Sequence, residues 1–139
     1  MDDRYYQSKK EAAHQLYAAQ PLVHSPFFTD DIVLGSEGFR HLQVSGQGER
    51  DKEDQIRRFM LLPLGLQVLK TATTLQSYRK RPAATYPHGE GHVLKERKAV
   101  QWWCFTALFV KRALRVKVVV RTVGDGKLHF WSVVAEKID

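Results

Sequence analysis

Histidine, arginine and tryptophan gather in one short part of this chain. His129 stands in Lys127-Leu-His-Phe-Trp131, and the hairpin read below sets Arg121 opposite it. An imidazole titrates near neutral pH and can carry a proton, while a guanidinium can hold phosphoryl oxygens. Cleaving RNA through its own 2′-hydroxyl needs a base for that hydroxyl, an acid for the departing 5′-oxygen and fixed positive charge for the crowded phosphate. His41, Arg121 and His129 are therefore the candidate catalytic residues. His41, in Gly38-Phe-Arg-His-Leu42, reads equally well as a polar residue on the outside of a short helix. His88 and His92 have the spacing of two metal ligands, but no cysteine pair or acidic cluster completes a coordination sphere, so neither a metal nor another cofactor is expected. His14 and His24 carry no chemical argument. Gly46-Gln-Gly48 is a turn, since no strand feeds it and no lysine follows at the spacing of a phosphate-binding loop.

Charge points to the same region. The 139 residues hold 22 Lys and Arg against 15 Asp and Glu, a net charge of +7. Residues 1–63 carry 8 basic and 10 acidic side chains, and residues 64–139 carry 14 and 5. One electropositive surface on the C-terminal half is expected, with nucleic acid preferred over membrane as its partner. The most membrane-like uncharged stretch, Ala99 to Val110, falls short of the ~20 residues that cross a bilayer. The N-terminus, Met1-Asp-Asp-Arg-Tyr-Tyr6, places acid before any apolar run, unlike a secretory or transit peptide. Cys104 alone excludes an internal disulfide framework and suits a reducing compartment, so a soluble cytoplasmic protein is expected. With 43% hydrophobic and 27% charged residues, the chain has the means for one globular domain over 1–139.

The elements that would position these groups follow from local pattern. Ser8 and Glu11 form a capping box for a helix over 9–19, which Pro21 and Pro26 stop. Residues 1–30 are thus a helical extension. Ile32-Val-Leu34 is an edge strand or an extended segment, broken by Gly35. Ser36 caps a short helix that turns Phe39 and Leu42 to one side and Arg40 and His41 away from them. Asp51 and Asp54 favour a helix over 51–61, with Ile56, Phe59 and Met60 at helical spacing until Pro63. Leu64 to Thr71 could form a second short helix, weakened by Gly65.

From Thr73 the pattern becomes β. A strand over Thr73–Arg81 ends at Pro82, and residues 82–98 read as a loop. Ala99 to Val110 is apolar on both faces, so Trp102 and Trp103 point to opposite sides, with Cys104 on the side of Trp102 as a small buried hydrophobe. Leu114–Val123 and Lys127–Glu136 alternate and are joined through Gly124-Asp-Gly126 as a hairpin. A three-residue loop pairs Val120 with Phe130, Val118 with Ser132 and Val116 with Val134, an apolar face. The other face then carries Arg115, Lys117, Val119 and Arg121 beside Lys127, His129, Trp131 and Val133. The expected fold is α+β, with N-terminal helices packed on one face of a C-terminal antiparallel sheet of about four strands and the other face open and basic. Arg40, Arg79, Lys80, Arg115, Lys117, Lys127 and Trp131 are the candidate nucleic-acid-binding residues, supplying phosphate-neutralising charge and a π surface for a base. The plainer alternative is a solvated face whose Lys and Arg keep the sheet soluble, with Trp131 covered by the loop around Tyr86.

The order helix, His-containing helix, Asp-started helix and C-terminal antiparallel sheet resembles the barnase, EndoU, colicin and RelE (BECR-fold) superfamily of small nucleases. The segment Ile32-Val-Leu-Gly-Ser-Glu-Gly-Phe-Arg-His41, then Ile56-Arg-Arg-Phe59, then Lys127-Leu-His-Phe-Trp-Ser-Val-Val134 looks most like versions found in phages and mobile elements. The likeness spans a nuclease-like core over 32–136. It implies a metal-independent ribonuclease, often a toxin, with the sheet face as its active surface. The leading expectation is cleavage of single-stranded RNA or a tRNA loop, with an acidic inhibitor protein as a further candidate partner. His41, Arg121 and His129 are the positions that match the family's catalytic polar groups. No acidic residue stands at a sheet position to act as general base, which leaves either a histidine-driven cleavage or a member that only binds. The alternatives from other classes are a nucleic-acid-binding accessory protein of a mobile element and a protein-interaction adaptor using the basic face.

Overall fold

The computed structural model describes residues 3–85 and 96–138. Tyr86, His88 and His92, and most of the expected 82–98 loop, lie outside the described residues. Among the described residues the fold is α+β, with three α-helices and a mostly antiparallel six-stranded sheet. Helix α1 (Asp3–Ala19) is followed by two short strands, β1 (Leu22–Val23) and β2 (Ile32–Val33), and by helix α2 (Ser36–His41). A small hairpin of β3 (Val44–Ser45) and β4 (Gly48–Glu49) turns at Gly46-Gln47 and leads into helix α3 (Lys52–Thr71). The long strands are β5 (Ser77–Thr85), β6 (Glu96–Phe109), β7 (Leu114–Val123) and β8 (Leu128–Lys137). The sheet order is β1-β2-β8-β7-β6-β5, antiparallel except where β2 runs parallel to β8. No helix among the described residues is long and apolar enough to cross a membrane.

The helices depart from local expectation where tertiary contacts outweigh local signals. Helix α1 starts before Ser8, which is therefore inside the helix and not its cap. Its extra turn is held to α3: the buried Tyr6 hydroxyl donates to Gln55 Oε1, and Lys52 Nζ donates to Asp3 Oδ1 at 3.2 Å. Helix α3 starts where expected, and Asp51 is its cap, with Oδ1 accepting from the Asp54 backbone N–H at 2.8 Å. It does not end at Pro63 and restart, however, but runs through it as one helix. Pro63 faces solvent, and the turns around it bury Leu61, Leu62, Leu66, Val68 and Leu69. At ~1.5–3 kcal/mol for each such side chain, this burial outweighs the proline's cost of ~3 kcal/mol. Gly65 does more than weaken the helix: a Cβ there would lie 3.0 Å from Val133 Cγ2, so glycine lets α3 approach β7 and β8 closely. The cap of α2 is Gly35, and Ser36 is its first helical residue without a side-chain capping bond.

The sheet has two more strands than expected. Residues Ile32–Val33 do not form its edge but lie between β1 and β8. Strand β5 starts at Ser77 and continues past Pro82, which an edge strand tolerates because one row of its backbone donors has no partner strand. The β7–β8 register agrees with the three-residue loop as far as Val120 opposite Phe130. A bulge then inserts Trp131 in β8, so Val119 meets Ser132, Val118 meets Val133 and Val116 meets Ala135. This one-residue slip corrects the expected pairing of Val118 with Ser132 and of Val116 with Val134. It also moves Val133 from the expected outer face into the core, where it is 0% exposed against α3. The core lies between the sheet and α3, with α1 packed on α3.

Candidate functional site

The strand registers align one row of side chains across the face of the sheet turned away from α3. Arg79 of β5 is opposite Trp102 of β6, Trp102 opposite Arg121 of β7, and Arg121 opposite His129 of β8. Alternation in β7 fixes the side: Val116, Val118 and Val120 are buried against the helices, so Arg115, Lys117 and Arg121 point the other way. Trp102 shares the outer side, whereas Trp103, opposite Val120, packs against the core. Cys104 is buried on the Trp102 side, as its place in the strand implies.

The bulge gives the row its second layer. Trp131 has no partner in the β7 register, and its ring lies against Arg121, whose guanidinium carbon is 3.5 Å from the ring centroid. His41, from the end of α2, stacks on the same indole at 4.5 Å and 20°. Two groups this close to one centroid would overlap on a single face, so Arg121 and His41 cover opposite faces of Trp131. Helix α2 reaches this position because Gly38 sits directly against the Phe130 carbonyl, where a Cβ would collide with the oxygen. Arg58 secures the bulge from α3, donating to Ser132 Oγ at 3.2 Å while paired with Asp54 at 3.2 Å. Arg50 donates to the His41 carbonyl at 3.1 Å, with another of its nitrogens 3.5 Å from His41 Nε2. Burial and then the charges of Arg50, Arg58 and Arg121 push the His41 imidazole down to about 4. At neutral pH His41 is therefore an uncharged ring that covers Trp131.

Next to this stack lies a cleft of about 460 Å³, lined by Glu37, Lys98, Arg121, Lys127, His129 and Trp131, with Gly35 and Ser36 on its wall. The His129 ring lies directly against Gly35, whose added Cβ would be in ordinary contact with the imidazole Nδ1 at 3.6 Å. That Nδ1 is buried and has no hydrogen-bond partner among the described residues. Burial lowers the His129 pKa; Glu37 opposes the shift, and Arg121 and Lys127 add to it. Burial also disfavours the charge on Arg121, and Glu37 offsets part of that cost. One carboxylate, one imidazole and three cations thus share a cleft.

The expected residues divide into those inside this constellation and those outside it. Arg121, His129, Lys127 and Trp131 come together, and His41 joins them through Trp131. Arg79 stacks on Trp102 at 4.7 Å, one strand beyond. Arg40 is exposed and lines a separate cavity of about 310 Å³ with His14 and Tyr17. Lys80 points to the other side of β5, opposite Gln101. Arg115 pairs with Glu136 at 2.6 Å, and with Lys117 it lines a different cavity of about 420 Å³. Trp131 offers no free π face, because its own neighbours occupy both. Sequence reasoning missed Glu37 and Lys98. Glu37 stands in the first turn of α2, outside the sheet positions where an acid was sought, and Lys98 stands in a segment read as loop that belongs to β6. Among the described residues no group of three or more His, Cys, Asp or Glu is placed to hold a metal ion. The chain matches no protein-family model, no curated protein and no solved structure.

Proposed function

We propose that this protein is a metal-independent, toxin-type ribonuclease acting on single-stranded RNA or a tRNA loop. The observation that carries the reading is the meeting of Glu37, His129 and Arg121 in one cleft walled by Lys98 and Lys127. Arg121 and the two lysines hold the phosphate and stabilise the charge that builds on it during 2′-hydroxyl attack. Glu37 takes the 2′-hydroxyl proton and His129 protonates the departing 5′-oxygen. The free His129 is held neutral by burial and by neighbouring cations, but a bound phosphate adds negative charge beside it and favours the imidazolium that the acid role needs. His41, which the sequence offers as a second proton carrier, is assigned instead to holding Trp131, and through it Arg121, in place. Glu37 takes over the proton role.

The test is incubation of the purified protein with labelled single-stranded RNA in EDTA. Products with 2′,3′-cyclic phosphate ends are expected, lost in His129→Ala and in Glu37→Gln and absent with a 2′-deoxy substrate. A gel shift without products would instead support a nucleic-acid-binding accessory protein. The observation that favours this second reading is the engagement of Arg121 with Trp131, which leaves less of the guanidinium for a transition state.

A further inference from the structure

The cross-sheet row contains two arginine-on-tryptophan stacks that differ in one respect. In the first, Trp131 is covered by Arg121 on one face and His41 on the other. In the second, Trp102 carries Arg79 at 4.7 Å. Arg79 is exposed on the outermost long strand, so its contact with the indole is of the exposed kind that moves at little cost. Arg81 alternates onto the same side of β5, which adds charge along that edge. Neighbouring strands lie about 4.8 Å apart, so Arg79 to His129 spans about 14 Å, wider than one nucleotide fills. The charge along this track is complementary to a polyanion, with Arg79 and Arg81 at one end and Lys98, Arg121 and Lys127 at the other.

We infer that Trp102 and Arg79 form a second nucleotide subsite beside the cleft, in which the next base beyond the two that flank the held phosphate stacks on Trp102 and its own phosphate draws Arg79 off the indole. The substrate is then a single-stranded nucleic acid longer than a dinucleotide, laid across the strands and not along them. The inference rests on the reading of the cleft as a phosphate site, and it adds a length requirement which that reading alone does not impose. A duplex would keep its bases paired and could not offer one to Trp102.

The test uses the full chain and 2′-deoxy oligonucleotides, which 2′-hydroxyl attack cannot cleave. Wild type, Arg79→Gln, Trp102→Leu and Trp102→Phe are titrated at low salt with a pentanucleotide and, by competition, with a dinucleotide. Wild type is expected to bind the pentanucleotide about tenfold more tightly than Arg79→Gln or Trp102→Leu, with Trp102→Phe recovering most of the loss. The dinucleotide, which reaches only the cleft, should bind all four alike. Arg79→Gln changes an exposed side chain and so keeps the test valid if Trp102→Leu folds poorly. Pentanucleotide binding that is equal in all four proteins, a loss that is the same for both lengths, or no binding by wild type overturns the subsite. A length-dependent loss in a protein that cleaves no RNA supports the subsite and removes only the catalytic reading.

Discussion

The guanidinium of Arg121 lies over the ring of Trp131 although the strand register sets Arg121 opposite His129. The bulge accounts for both facts, because a residue without a ladder partner can turn its side chain across to the neighbouring strand. A half-buried cation–π pair of this kind is worth about 1–2 kcal/mol. A double-mutant cycle of Arg121→Gln and Trp131→Leu, read by urea unfolding, should return a coupling of that size. Strictly additive effects would show that the stack contributes nothing to stability.

His129 titrates under opposing influences, so its neighbours can be read one at a time. Its Hε1 resonance should show a midpoint below the ordinary 6.5, lower again in Glu37→Gln and higher in Lys127→Gln. If His129 is the acid, kcat/KM of the wild type falls as pH rises through that midpoint. An unmoved midpoint in Glu37→Gln would remove the carboxylate from the site.

His41 gives the fold a dependence on acid. The folded protein keeps the ring neutral down to about 4, whereas the unfolded chain protonates it near 6.5. Between those values the unfolded state binds more protons. The stability tied to the neutral ring is therefore complete above pH 6.5 and is lost as pH falls toward 4. Allowing for the ring's partial exposure, the loss is about 2 kcal/mol. His41→Phe keeps a ring on Trp131 and should flatten this part of the stability–pH curve.

Gly38 is the seat of α2 on β8. Gly38→Ala would drive a methyl group into the Phe130 carbonyl, costing about 2–3 kcal/mol and lifting the helix that carries both Glu37 and His41. A lowered melting temperature, together with loss of the His41 ring-current shift from Trp131, is the expected result. Gly46→Ala, at a turn with open space around it, is the control and should change little.

Much of the fold was legible in the sequence because it is written in local periodicity. Alternation over Leu114–Val123 and Lys127–Glu136 gave the hairpin, its core face and the pairing of Arg121 with His129, since near a turn the register depends only on loop length and side-chain polarity. Asp51 marked the start of α3, where a cap acts within its own turn. Pro63 misled because its local cost is visible while the buried leucines that outweigh it are rewarded only by a sheet far along the chain. The strands at Leu22–Val23 and Ile32–Val33 are two residues each, too short to show a period. The bulge at Trp131 left no mark either, and it decided the faces of Ser132 and Val133.

The sequence by itself determined the class of the fold, the cationic bias of its second half and the placing of Arg121 beside His129, because each follows from composition or from neighbours along a strand. Only the tertiary structure brought Glu37 into the cleft with His129, placed His41 on Trp131 and separated Arg115 and Lys117 from that site. Those meetings depend on α2 docking against β8 through a glycine and a backbone carbonyl, and no pattern within either element encodes such a contact.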